Sequence, residues 1–150
     1  MDKFMERAIE LAVENVKEGG QPFGAVLVKN GHLVAEGVNE LHKRFDVSAH
    51  AEVMAIRHAQ KKMHTTVLDG YTMYASGEPC PMCFAAMSFA GIDQIYFCHS
   101  VDDAEEAGLG KSKEIYEDLR KDKEERSIKI AQILLANGQE DPMKRWQEQA

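Results

Sequence analysis

The stretch "YTMYASGEPCPMCFAAMSFAGIDQIYFCH", residues 71–99, decides the architecture. "YTMYAS" reads as a strand, "PMCFAAMSFAG" as a helix closed by Gly91, and "QIYFCH" as a second strand. A strand, a helix and a strand in succession make a right-handed parallel crossover, so an α/β fold is expected. The helix opens with two of the chain's three cysteines, Cys80 and Cys83, spaced C-x-x-C behind Glu78 and Pro79. In a reducing compartment such a pair more often binds metal or does redox work than forms a structural disulfide.

Upstream, Phe4, Ala8, Leu11, Ala12, Asn15 and Val16 recur at mostly helical intervals, and the pattern stops at Gly19-Gly20. "FGAVLVKNGHLVAEGVN" then reads as two short strands joined by Asn30-Gly31, a dipeptide suited to a type I′ hairpin turn. Val53, Met54, Ile56 and Ala59 place a second helix from Ala49 to about Met63, with Ser48 as N-cap. Downstream of Ser100, the span from Lys111 to Arg126 sets six basic against six acidic residues and reads as a solvated helical surface. "SIKIAQILL" is expected to form a last strand, and "DPMKRWQEQ" a closing helix with Asp141 as N-cap and Pro142 at its first position.

A chain of 150 residues with no linker or repeat suggests one domain over residues 1–150. Its formal net charge of −7 gives no general attraction to phosphate backbones or anionic membranes, which favours a small or neutral ligand. Charges interrupt the apolar pattern of "MDKFMERAIELAVENV", and no later run is long enough to span a bilayer, so a cytoplasmic protein is expected.

His50 and Glu52 open the second helix in "HAEVMAIRHA". Zinc takes imidazole and thiolate ligands at tetrahedral corners, and a catalytic site supplies three of them, leaving the fourth corner to water. His50, Cys80 and Cys83 are that set. Pro81 at the first helical turn would place Cys80 near the N-cap and Cys83 one turn on, where the helix dipole favours thiolates. Glu52, two residues from a ligand, suits a proton shuttle. Two other readings remain at this point: a four-ligand structural zinc in which Cys98 and His99 join Cys80 and Cys83, and a redox C-x-x-C. Cys98 and His99 sit beside Ile95, Tyr96 and Phe97, where a buried thiol and a satisfied histidine are expected.

H-A-E followed by P-C-P-M-C matches the H-x-E…P-C-x-x-C signature of the zinc-dependent nucleobase and nucleoside deaminases, and the chain resembles that family over nearly its whole length. The resemblance implies a three-layer α/β/α cytidine deaminase-like fold with a five-stranded mixed sheet. It implies one Zn²⁺ per subunit on His50, Cys80 and Cys83, with Glu52 as catalytic acid and base. "GGQPFGAVLV" resembles the entry to the substrate pocket and "AEGVN" carries Asn39 where the family has a base-binding asparagine; the resemblance makes Phe23, Asn39, Ala51 and Phe89 the expected substrate contacts. The wider pattern is most similar to bacterial guanine deaminases and plant guanosine deaminases, implying conversion of guanine to xanthine and ammonia. Other bases, nucleosides and tRNA adenosine are the alternatives. A homodimer, domain-swapped in some members, is the implied assembly. Three features depart from the guanine deaminase pattern. Gly110 and Lys111 stand near the place of a purine-contacting aspartate, Phe89 stands where tryptophan is usual, and the chain ends at "KRWQEQA" without a further aromatic tail.

Overall fold

Asp2 starts the first helix by accepting hydrogen bonds from the backbone N–H groups of Phe4 and Met5, and α1 runs Lys3–Lys17. The computed structural model describes residues 1–150. It divides into two compact units, Met1–Glu117 and Asp118–Ala150.

In the first unit, β1 (Gly24–Lys29) and β2 (His32–Val38) form the expected hairpin. Asn30 and Gly31 both take positive φ, 51° and 75°, as a type I′ turn requires. A four-residue helix α2 (Leu41–Arg44) precedes α3 (Ala51–Met63). Then come β3 (Thr72–Gly77), α4 (Pro81–Ala90) and β4 (Gln94–His99), with β3 and β4 parallel as the crossover demands. Two helices follow, α5 (Val101–Glu106) and α6 (Lys111–Leu119). The strand order is β2-β1-β3-β4, a mixed sheet with antiparallel β1 contacts on both sides.

The two faces of the sheet take different helices. Gly24 abuts the backbone of α1 at Ala8 and Ala12, and Tyr74, paired in register with Val26 on that face, meets Phe4 with ring centroids 5.5 Å apart. Arg7 of α1 grips Glu36 of β2 through two hydrogen bonds, of 2.6 and 3.0 Å, which hold the Glu36 carboxyl below its ordinary range. On the opposite face Ala25, Leu27, Met73 and Ala75 join Ala51, Ala55, Ile56 and Ala59 of α3 and Met87 and Ala90 of α4 in one buried cluster. Side chains alternate across a strand, so β1, buried along nearly its whole length, reads as continuous apolar sequence because both faces are covered.

Gly37 sets how closely α3 approaches. A Cβ there would collide with the Ala51 carbonyl oxygen and lie 2.5 Å from the Ala55 nitrogen, both backbone atoms of α3. Gly37→Ala must therefore push the helix off the sheet. The expected loss is about 3 kcal/mol or more, the upper end of overpacking penalties, measured by urea denaturation. A loss under about 1 kcal/mol would show that α3 can yield there.

Two expectations fail on the sheet. It has four strands rather than five, because "SIKIAQILL" is irregular: residues 127–135 of the second unit make no ladder, and a strand exists only by pairing. In that unit the regular elements after α6 are a short 3₁₀ turn at Lys123–Glu125 and α7 (Pro142–Gln149), which Asp141 caps as expected. Cys98 and His99 are exposed rather than buried, since β4 is an edge strand. No helix is long and apolar enough to cross a membrane.

Candidate active site

Two helix starts meet at the site. His50 is the N-cap residue of α3, displacing the expected Ser48, and Cys80 is the N-cap residue of α4 with Pro81 in the first turn. Both caps have extended backbone, with φ and ψ of −77° and 157° at His50 and −68° and 168° at Cys80. The Cys80 sulfur accepts a hydrogen bond from the Cys83 backbone N–H at 3.4 Å, so the sulfur itself performs the capping. Ser48 instead binds Asp46 through its N–H and hydroxyl.

Cys80 Sγ lies 3.5 Å and Cys83 Sγ 3.6 Å from His50 Nδ1. Tetrahedral zinc with ordinary Zn–S and Zn–N bonds separates such ligand atoms by about 3.6 Å. The donor set is therefore at metal spacing as well as of metal-binding chemistry. It is the chain's one group of three or more His, Cys or acidic side chains at ligand spacing; Cys98 and His99 are not in it.

The electrostatics agree. A hydrogen bond from the Cys83 thiol, aided by His50, holds the Cys80 thiol down at about 4 against the effect of burial. The same pairing, together with burial, pushes Cys83 up, so the proton the two sulfurs share stays on Cys83. His50 is raised, first by its bond to Cys80. Two sulfurs sharing one proton present a site that takes a dication in its place.

Glu52 is 6% exposed in the first turn of α3. Burial is the main cause that lifts its carboxyl to about 7, with the negative Cys80 sulfur adding and its own backbone N–H opposing. A carboxyl near neutrality can both take and give a proton.

The expected substrate contacts are placed unequally. Asn39 is buried, its Oδ1 accepting from the Leu41 N–H and its Nδ2 donating to Gln21 Oε1, each at 3.3 Å. Phe23 is half-buried and its ring covers Gly77. Ala51 is fully buried at the start of α3. Phe89, at 94% exposure, stands outside any wall formed by this chain alone. Lys111 is an exposed surface residue paired with Glu114.

Two residues escaped the sequence reading. Asn15, counted there only as part of a helical stripe, is buried and donates from Nδ2 to the carbonyls of both Gln21 and Asn39, at 2.8 and 2.9 Å. It ties together the segments that carry Phe23 and Asn39. An amide on the core face of an amphipathic helix was the available signal. Tyr116 lay inside a charged run, and nothing in its spacing pointed inward.

Residues 1–99 match the cytidine and deoxycytidylate deaminase zinc-binding region. The chain belongs to this family. It is 44% identical to guanine deaminase of Bacillus subtilis over 135 residues, covering 89% of this chain and 86% of that enzyme. The crystal structure of guanine deaminase from Bacillus subtilis superposes with a TM-score of 0.90 at 40% identity, covering 99% of this chain and 95% of that one. The tRNA-specific adenosine deaminase of Agrobacterium fabrum is 40% identical, but over only 59% of this chain and 61% of its own length. A solved relative bound to 8-azaguanine matches with a TM-score of 0.68 at 31% identity, covering 71% of this chain and 62% of that one. The family is a zinc-binding one, and the fold is the α/β deaminase fold with a four-stranded mixed sheet.

Proposed function

We propose that the protein is a zinc-dependent hydrolytic deaminase that converts guanine and water to xanthine and ammonia, with residues 1–150 serving one activity. The observation that carries the substrate is the extent of similarity. Likeness to guanine deaminase runs through 89% of the chain at 44% identity, whereas the tRNA-specific adenosine deaminases of Agrobacterium fabrum and Haemophilus influenzae match over 59% at 40% and over 79% at 32%. A net charge of −7 also suits a free base better than an anticodon loop.

His50, Cys80 and Cys83 would hold the zinc, which supplies Lewis-acid activation of water near neutral pH. Glu52 takes a proton from the attacking water and passes it to a ring nitrogen as the new C2–O bond forms. It then takes the remaining proton from the new C2–OH group and delivers it to the exocyclic nitrogen, the C2–N bond breaks as the C2 carbonyl forms, and ammonia leaves with Glu52 returned to its starting state. Asn39, fixed by Gln21 and Asn15, presents its side-chain amide to the base. Phe23 and Ala51 supply apolar wall. Phe89 would need a second subunit to become one.

Self-association is part of the reading, with a second copy of this chain as partner. Tyr96 and Phe97 are exposed on the open edge strand β4, and Ile128, Ile130, Ile133 and Leu134 are exposed in the second unit. Unpaired edges and large apolar surfaces favour pairing with another chain. Unpaired thiols at the metal site fit a reducing, cytoplasmic setting.

The test is ammonia release by the zinc-loaded protein across guanine, guanosine, adenine, cytosine, cytidine and a tRNA anticodon stem-loop. Guanine is expected to turn over at least about 10²-fold better than the others, the discrimination that correctly placed polar contacts give. Faster turnover of any other member would retain the deaminase and overturn guanine.

A further inference from the structure

The segment between β3 and the metal site is fastened at three points. The Glu78 N–H donates to the His99 carbonyl at 2.7 Å, and the Glu78 carboxylate accepts from the Val101 N–H at 3.1 Å. The third point comes from α6, where the Tyr116 hydroxyl donates to the Pro79 carbonyl at 2.6 Å. Pro79 is buried and has no N–H, so this carbonyl is its one polar backbone group. The next residue is the metal ligand Cys80.

Several features make the bond a directed one. Ser112, one turn earlier on the same face of α6, also buries its hydroxyl, so this face is turned away from solvent. Burial, with the negative charges of Glu78 and Cys80 adding, raises the Tyr116 phenol to about 12, which keeps it a donor. A peptide rotated at Pro79–Cys80 would swing the Cys80 sulfur away from His50 Nδ1 and the Cys83 N–H together. We infer that Tyr116 is a positioning residue of the metal centre, its hydroxyl locking the Pro79–Cys80 peptide so that Cys80 stays in register with His50 and Cys83.

This inference concerns the metal site and is independent of the substrate. Tyr116→Phe keeps the ring and removes the one donor. A purely structural reading makes the hydroxyl incidental and the docking of α6 important. That docking can be loosened separately, because Lys113 bridges α6 to Asp102 and Glu105 of α5 at 2.8 and 3.1 Å. The experiment compares wild type, Tyr116→Phe and Lys113→Ala by zinc affinity in chelator competition and by the visible spectrum of the cobalt-substituted protein. Tyr116→Phe is expected to lose about tenfold in zinc affinity, as outer-shell changes do, and to shift the thiolate-to-cobalt bands. Lys113→Ala is expected to match wild type in both. An unchanged value of either readout in Tyr116→Phe, or an equal change in Lys113→Ala, overturns the assignment.

Discussion

Replacing Glu52 with glutamine is expected to reduce deaminase turnover by about 10²–10⁴-fold, the contribution of a positioned acid–base group, while zinc content stays at one ion per chain. The side chain is nearly isosteric and remains in the first turn of α3, so the packing of Ala51, Ala55 and Ile56 is undisturbed. What is lost is the ability to accept a proton from water and return it to the substrate. Glu52 is not one of the three donors at metal spacing, so affinity for zinc has no reason to collapse. The metal-free variant should melt at or above wild type, because a buried carboxylate is costly to desolvate and a neutral amide less so. Ammonia release, metal analysis and a thermal melt check the three parts. Retained turnover would remove Glu52 from the chemistry and require another group to carry the proton.

Apart from the four-residue α2, the order of elements from α1 to β4 was legible because each leaves a local mark. Asn30-Gly31 specified the hairpin, Gly91 closed α4 with φ of 89°, and Pro81 opened it. The metal donors were legible for a related reason, since ligand chemistry restricts residue type and spacing. The missing fifth strand shows the limit. "SIKIAQILL" has strand composition, but composition cannot supply a neighbour to pair with, and pairing is what makes a strand. The same limit explains Cys98, whose apolar neighbours suggested burial while the edge position of β4 leaves it open. Asn15 and Tyr116 were hidden because each acts on a backbone carbonyl far along the chain, at Asn39 and Pro79. A carbonyl carries no residue identity, so no sequence pattern records the partnership.

That asymmetry bears on how the site is held. Each donor lies at a helix start, where the chain changes direction and a small rotation displaces a side chain by ångströms. The backbone around them is fixed from outside: α3 by its seat on Gly37, the Asn39 turn by Asn15, and the approach to Cys80 by Glu78 and Tyr116. Supporting groups of this kind set whether a site with the right residues has the right geometry.

Cys83→Ser should have the other large effect, eliminating both activity and metal-dependent stability. Cys83 is fully buried and lies at ligand distance from His50 Nδ1, so its sulfur cannot be replaced by solvent or by Cys98, which is exposed on β4. A serine hydroxyl remains protonated at neutral pH and offers a poor ligand. The loss in zinc affinity should therefore exceed the 10–100-fold typical of changes outside the ligand set. Ligand binding to the folded state stabilises it by about 2.7 kcal/mol when free zinc is one hundred times Kd. In wild type, adding a chelator should therefore lower the melting temperature by several degrees, and restoring zinc should recover it. The variant is expected to melt at one temperature with or without chelator, and to bind no stoichiometric metal. A variant that still showed the chelator-dependent shift would mean that His50 and Cys80 suffice to hold the ion, and Cys83 would lose its place among the ligands. Paired with Glu52→Gln, the experiment separates holding the metal from using it: one variant should lose zinc and turnover together, the other turnover alone.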